Sequence, residues 1–105
     1  MSRRVTRYTW GSGRGQEIHA EERTRLDGTA TWRVGHGWGC WTRDRVGMVH
    51  EPSPSSRTEE WLHAARWTRE EAMAEGPKAL EFMVDEAAAA AAAETAALEA
   101  AGGGE

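Results

Sequence analysis

The sequence is short of cysteine, proline, phenylalanine, tyrosine and lysine. It has one cysteine, three prolines and one residue each of the other three types. A single cysteine cannot close an intrachain disulfide, so a disulfide framework is excluded and a reducing, cytoplasmic setting is expected. No apolar run reaches the roughly 18 residues of a membrane span. The opening MSRR is not followed by the apolar core of a signal peptide, so no leader is expected. A basic excess is missing too: net charge is −4, and binders of nucleic acid usually carry a clear positive surplus. The balance is uneven. Residues 1–75 hold twelve arginines against eleven acids, while residues 76–105 hold one lysine against six acids. A near-neutral body therefore carries an acidic tail.

What the chain does have is tryptophan, six in 105 residues. Each buried aromatic removes about 150–250 Å² from water, so these rings must supply much of a modest core. Three of them lie in TWRVGHGWGCW, residues 31–41. Side chains along a strand alternate between faces. Ala30, Trp32, Val34, His36, Trp38, Cys40 and Thr42 then share one face, and Trp32, Val34 and Trp38 are expected in the core. Gly35, Gly37 and Gly39 leave the opposite face bare, between Arg33, Trp41 and Arg43. The segment is either one long bent strand or two strands joined near Gly37.

Other elements are set by local chemistry. Residues 5–10, VTRYTW, are β-branched and aromatic and predict a first strand, ended by the glycine-rich GSGRG turn. Residues 17–25 alternate, with Ile18, Ala20 and Thr24 on one face. A three-residue loop of Leu26, Asp27 and Gly28 sets Ala20 against Val34, Thr24 against Ala30, and Glu21 against Arg33 as an opposite-charge pair. A two-residue loop would slip the register and put Trp32 and Val34 on the charged face. A second hairpin is expected near Asp44 and Arg45, with residues 46–51 returning and Pro52 and Pro54 ending that strand.

Residues 61–67, WLHAARW, fit a strand or a helix capped by Ser56 and Glu59; a strand is preferred. Thr68 and Glu71 form a capping box that opens a helix at Arg69. Gly76 and Pro77 are expected to break or restart it. Leu80, Met83, Val84 and Ala87 form an apolar stripe. Seven alanines, 87–93, favour helix but offer little to bury. The reading is an α+β fold: an antiparallel sheet of four to five strands with a helix over 69–86 on one face. Trp32, Val34 and Trp38 should meet Met73, Leu80 and Met83. Residues 1–86 form the domain, and 87–105 form an Ala/Glu/Gly-rich tail, helical or disordered.

No catalytic constellation is legible. His36 and Cys40, four apart on a strand, lie about 13 Å from each other, too far to share an ion. Cys40 on the apolar face is expected to be inert. GSGRG lacks the lysine and following helix of a phosphate loop. No metal, cofactor or enzymatic activity is expected. Aromatic side chains beyond the needs of a core mark binding surfaces. The expected role is thus a small interaction module with a protein partner. The alternative is nucleic-acid binding through arginines and an aromatic stacking platform. The candidate surface comprises Arg7, Trp10, Arg14, Arg33, Gly35, Gly37, Gly39, Trp41, Arg43 and Arg45. No membrane association is expected, and the chain is either a monomer or a homodimer through an edge strand.

The run WRVGHGWGCWTRD, continued by EPSPSSRTEEWLHAARWTREEA, resembles small proteins of actinobacteria and their phages. The arginine-over-lysine bias fits such GC-rich sources. The resemblance covers roughly residues 8–75 and implies strands followed by one helix and a phage or host accessory role; it carries no catalytic residue over to this chain. In outline the order is also similar to small DNA-binding domains of the AP2 and integrase-arm type, a likeness of architecture alone.

Overall fold

A computed structural model describes residues 5–25 and 27–102; Arg3, Arg4 and Leu26 lie outside the described residues. Five strands form one antiparallel sheet in sequence order: β1 (Arg7–Gly11), β2 (Glu17–Thr24), β3 (Ala30–His36), β4 (Gly39–Trp41) and β5 (Met48–His50). A 3-10 turn (Pro54–Ser56) leads to a short helix α1 (Glu59–Ala65), and α2 (Arg69–Gly102) follows. The fold is α+β, with α2 packed on the sheet.

The β2–β3 register pairs Ala20 with Val34, Glu21 with Arg33 and Thr24 with Ala30. The Arg25 amide donates to the Thr29 carbonyl, and Gly28 sits at φ 85°. That is the register of the three-residue loop. Ile18, Ala20, Trp32 and Val34 consequently point together into the core.

The segment 30–42 is two strands, not one. Gly37 and Trp38 make a two-residue turn, with Gly37 at φ 57°, the position at which primed hairpin turns need glycine. His36 pairs with Gly39 and Gly35 with Cys40. A two-residue loop joins even positions of one strand to odd positions of the next. The expected face assignment therefore reverses after the turn. Trp41, expected on the glycine face, is core and 2% exposed; Trp38, expected in the core, stands at the hairpin tip and is 79% exposed. Cys40 is fully buried as expected, but on the face of Gly35 and Arg33, away from the apolar cluster.

Residues 61–67 are helix up to Ala65, so the strand preference is overturned. The cap is Thr58, whose side chain accepts from the Trp61 amide, and not Ser56. The trace of strand is a single bridge in which Trp67 exchanges backbone hydrogen bonds of 2.8 and 2.9 Å with Trp32. The second capping box forms as expected: Glu71 N donates to Thr68 Oγ1, and Thr68 N donates to Glu71 Oε1.

From that cap α2 runs 34 residues without the expected break at Gly76 and Pro77. Glycine and proline both oppose helix interiors. Here the ring of Trp10 occupies the space of a side chain at residue 76: an added Cβ would lie 2.2 Å from Trp10 Cζ3. Ala72, Glu75, Gly76 and Ala79 face the sheet, while Pro77 is exposed. Small residues thus let the helix approach, and the contact holds the turn around Pro77. Leu80, Phe82 and Met83, each partly buried, pack against the same core as Trp32 and Val34; Met73, expected with them, is partly buried but is not among the residues packed on that core. From Asp85 to Gly102 the helix is exposed all round, a projection of about 27 Å.

Candidate functional site

The side of the sheet turned away from α2 is buried by charge. Arg33 is 3% exposed and donates from Nε to Glu51 Oε2 at 3.1 Å. Its Nη2 donates to the carbonyls of Gly37 and Gly39 at 2.7 and 2.8 Å. The guanidinium lies against Gly35, where a Cβ would stand 3.2 Å from Arg33 Cζ and 2.2 Å from the Gly39 oxygen. The bare glycine strip of the candidate surface is therefore filled from within by an arginine. Although Arg33 is level with Glu21 in register, it turns to Glu51, and Glu21 pairs with Arg7 and Arg23.

Glu51 collects three guanidinium groups. Arg66 Nη2 reaches Oε1 at 2.6 Å, Arg57 Nη2 lies 3.7 Å from it, and Arg33 holds Oε2. Burial raises the Glu51 pKa, but Arg66, Arg33 and Arg57 outweigh it and hold the carboxylate below its ordinary value. Burial likewise lowers the Arg66 pKa, against the hydrogen bond to Glu51. Cys40, beneath this cluster, is pushed up by burial and by Glu51, so it stays a thiol. The Trp61 ring on α1 flanks Arg57 and Arg66 at 5.5 and 5.1 Å.

Outside this cluster a groove runs between the β2–β3 hairpin and the Pro54-to-Arg66 stretch. Its larger lobe, about 500 Å³, is lined by Arg23, Arg25, Asp27, Thr31, Arg57, Glu59, Leu62 and Arg66 among others. The smaller, about 330 Å³, adds Arg43, His63, Trp67 and Glu71. Arg25, Thr31, Glu59, Leu62 and Arg66 line both lobes. Five arginines face the groove against the carboxylates of Asp27, Glu59 and Glu71. Between the lobes Arg25 Nη2 donates to both oxygens of Glu59 at 2.7 Å.

The expected site residues do not form one surface. Arg7 and Arg14 are exposed on β1 and its turn. Trp10 packs beneath α2, and Trp41 donates from Nε1 to Glu75 Oε1 at 3.1 Å. Gly37 belongs to the turn, and Gly39 is closed off by Met48 at 3.0 Å from its would-be Cβ. Arg43 bonds the carbonyls of His63 and Arg66 and the carboxylate of Glu71, and lies 4.6 Å from the Trp67 ring centroid. Arg45, at φ 55°, holds Glu75 at 2.8 and 3.1 Å. Arg43 and Arg45 thus staple the β4–β5 loop to α2. They and Arg33 serve the fold first, although Arg43 also edges the groove. Sequence reasoning missed Arg23, Arg25, Arg57, Arg66 and Leu62. The signal available was the spread of arginines on both sides of the proline-rich loop.

No helix among the described residues is long and apolar enough to cross a membrane, and no group of three His, Cys, Asp or Glu among them could hold a metal ion. Comparison with known proteins finds no matching family model, no similar curated protein and no similar solved structure. Function must therefore be read from the geometry of the folded chain.

Proposed function

We propose that this chain is a small interaction module without chemistry of its own, and that its partner is a protein segment carrying negative charge. The observation behind this reading is the groove: five arginines line two adjoining lobes that share Leu62. Guanidinium groups match carboxylates in a planar, two-pronged geometry. Pockets that combine convergent polar groups with an apolar floor are the usual places for ligands. The sheet and the buried Glu51 cluster hold Arg66 and Arg57 in place before any partner arrives, which lessens the ordering a partner must impose.

Nucleic-acid binding is the rival. Of its candidate residues, Arg7 and Arg14 are exposed, and Trp38, expected in the core, adds an exposed ring at the hairpin tip. Fluorescence anisotropy with a labelled Glu-Glu-Leu-Glu-Glu peptide and a labelled oligo-dT separates the two. The present reading expects the peptide to bind and the oligonucleotide to bind more weakly at every salt concentration. Tighter, steeply salt-dependent binding of the oligonucleotide would favour the rival. Silence from both probes up to millimolar peptide would end the groove reading.

A further inference from the structure

We infer that Arg25 is a carboxylate subsite within this groove, and that Glu59 occupies it in the free protein as a stand-in for a carboxylate of the partner. The inference rests on the groove reading and adds the ligand's chemistry and its competitor. Three features of the geometry support it. Both Glu59 oxygens lie 2.7 Å from one nitrogen of Arg25, so the subsite already holds the functional group it is built to take. Glu59 itself is 81% exposed on its side chain, against 32% for Arg25. A pair so open to water gains little from its Coulomb attraction and yields readily to a better-placed anion.

The third feature is position. The Arg25–Glu59 bridge stands where the two lobes meet, with Leu62 and Thr31 shared beside it. A carboxylate entering the larger lobe would find Arg25 together with Arg23 and Arg57, which also hold Glu21 and Glu51, whereas among the described residues the Glu59 carboxylate bonds only Arg25. Displacing Glu59 would join the lobes into one channel. That channel has guanidinium groups at both ends and an apolar residue between them, the complement of an extended acidic peptide with a hydrophobic centre. A lone small anion would fill neither the length nor the apolar floor.

The experiment measures the Kd of the labelled Glu-Glu-Leu-Glu-Glu peptide for the full chain and for E59Q, E59A and R25Q, with circular dichroism as a check on folding. Removing the internal competitor should tighten binding about fivefold in E59Q and E59A, and losing the subsite should weaken it about tenfold in R25Q. Wild-type binding that all three variants leave unchanged overturns the Arg25 subsite but spares the groove. So does weaker binding in E59Q and E59A while both remain folded. Absence of peptide binding by every protein, E59Q included, removes the groove reading and this inference together.

Discussion

The two faces of the sheet exclude water by opposite means. On the side of α2, Ile18, Ala20, Trp32, Val34, Trp41 and Trp67 meet Ala72 and Ala79, and shape decides the fit. On the side of α1, Arg33, Glu51 and Arg66 are buried with Cys40, and hydrogen-bond partnership decides it. Apolar burial is non-directional and stabilises by about 25 cal/mol per Å². Buried charge stabilises only when every group keeps its partner, but it fixes geometry closely. The polar face therefore holds Arg57 and Arg66 beside a groove, while the apolar face turns its rings and aliphatic side chains to α2.

That contrast can be broken from either side. The largest effect should come from Glu51→Ala, which leaves three guanidinium groups without their shared carboxylate. A loss of about 3–5 kcal/mol is expected in urea unfolding. Ile18→Ala on the other face should lose about 2–5 kcal/mol through the cavity it leaves. Because the two residues share no partner, the double variant should be additive to within about 0.5 kcal/mol; a larger coupling would show that the faces are not independent.

Gly35→Ala comes next. Its methyl would meet the Gly39 oxygen and the Arg33 guanidinium, and overpacking of this kind costs about 1–3 kcal/mol.

Acid titration tests the staples between the β4–β5 loop and α2. Hydrogen bonds from Arg43, aided by the Thr68 amide, pull Glu71 down to about 2. The hydrogen bond from Arg45 does the same for Glu75, to about 2, against burial and with help from Trp41 and Lys78. Both are depressed below the ordinary 4.5. Their contribution is therefore complete above that value and is lost as pH falls toward 2. The urea midpoint should fall across that window, and E71Q with E75Q should flatten the slope. The smallest effect belongs to Trp38→Ser, which should change stability by less than about 0.5 kcal/mol, because the ring is exposed at a hairpin tip.

The sequence made the antiparallel sheet with its C-terminal helix, the β2–β3 register and the Thr68 cap readable, since each depends on near neighbours and on alternation. It misplaced Trp38 and Trp41 for one reason: the parity of the turn at Gly37 decides which face each ring joins, and alternation alone does not reveal a two-residue loop. WLHAARW was misassigned as strand because Trp61, His63, Ala65 and Trp67 alternate in the sequence, whereas Thr58, three residues before Trp61, caps a helix that leaves His63 exposed. The unbroken helix at Gly76 and Pro77 depends on the Trp10 ring, a contact between segments far apart in the chain. The groove was hidden for the same reason: its arginines come from segments that only the folded sheet brings together. Arg33 and Arg43 were singled out as binding residues, and the structure gives both internal partners: Glu51 and two glycine carbonyls for Arg33, Glu71 and two carbonyls of α1 and its cap for Arg43.

The most direct test of the groove is a titration of the ¹⁵N-labelled chain with the Glu-Glu-Leu-Glu-Glu peptide, followed by amide shifts. Movement is predicted at Arg25, Thr31, Leu62 and Arg66, with Ile18, Trp41 and Ala72 unmoved. Shifts confined to the Trp38 hairpin or to the apolar face, with the groove amides silent at saturation, would contradict it.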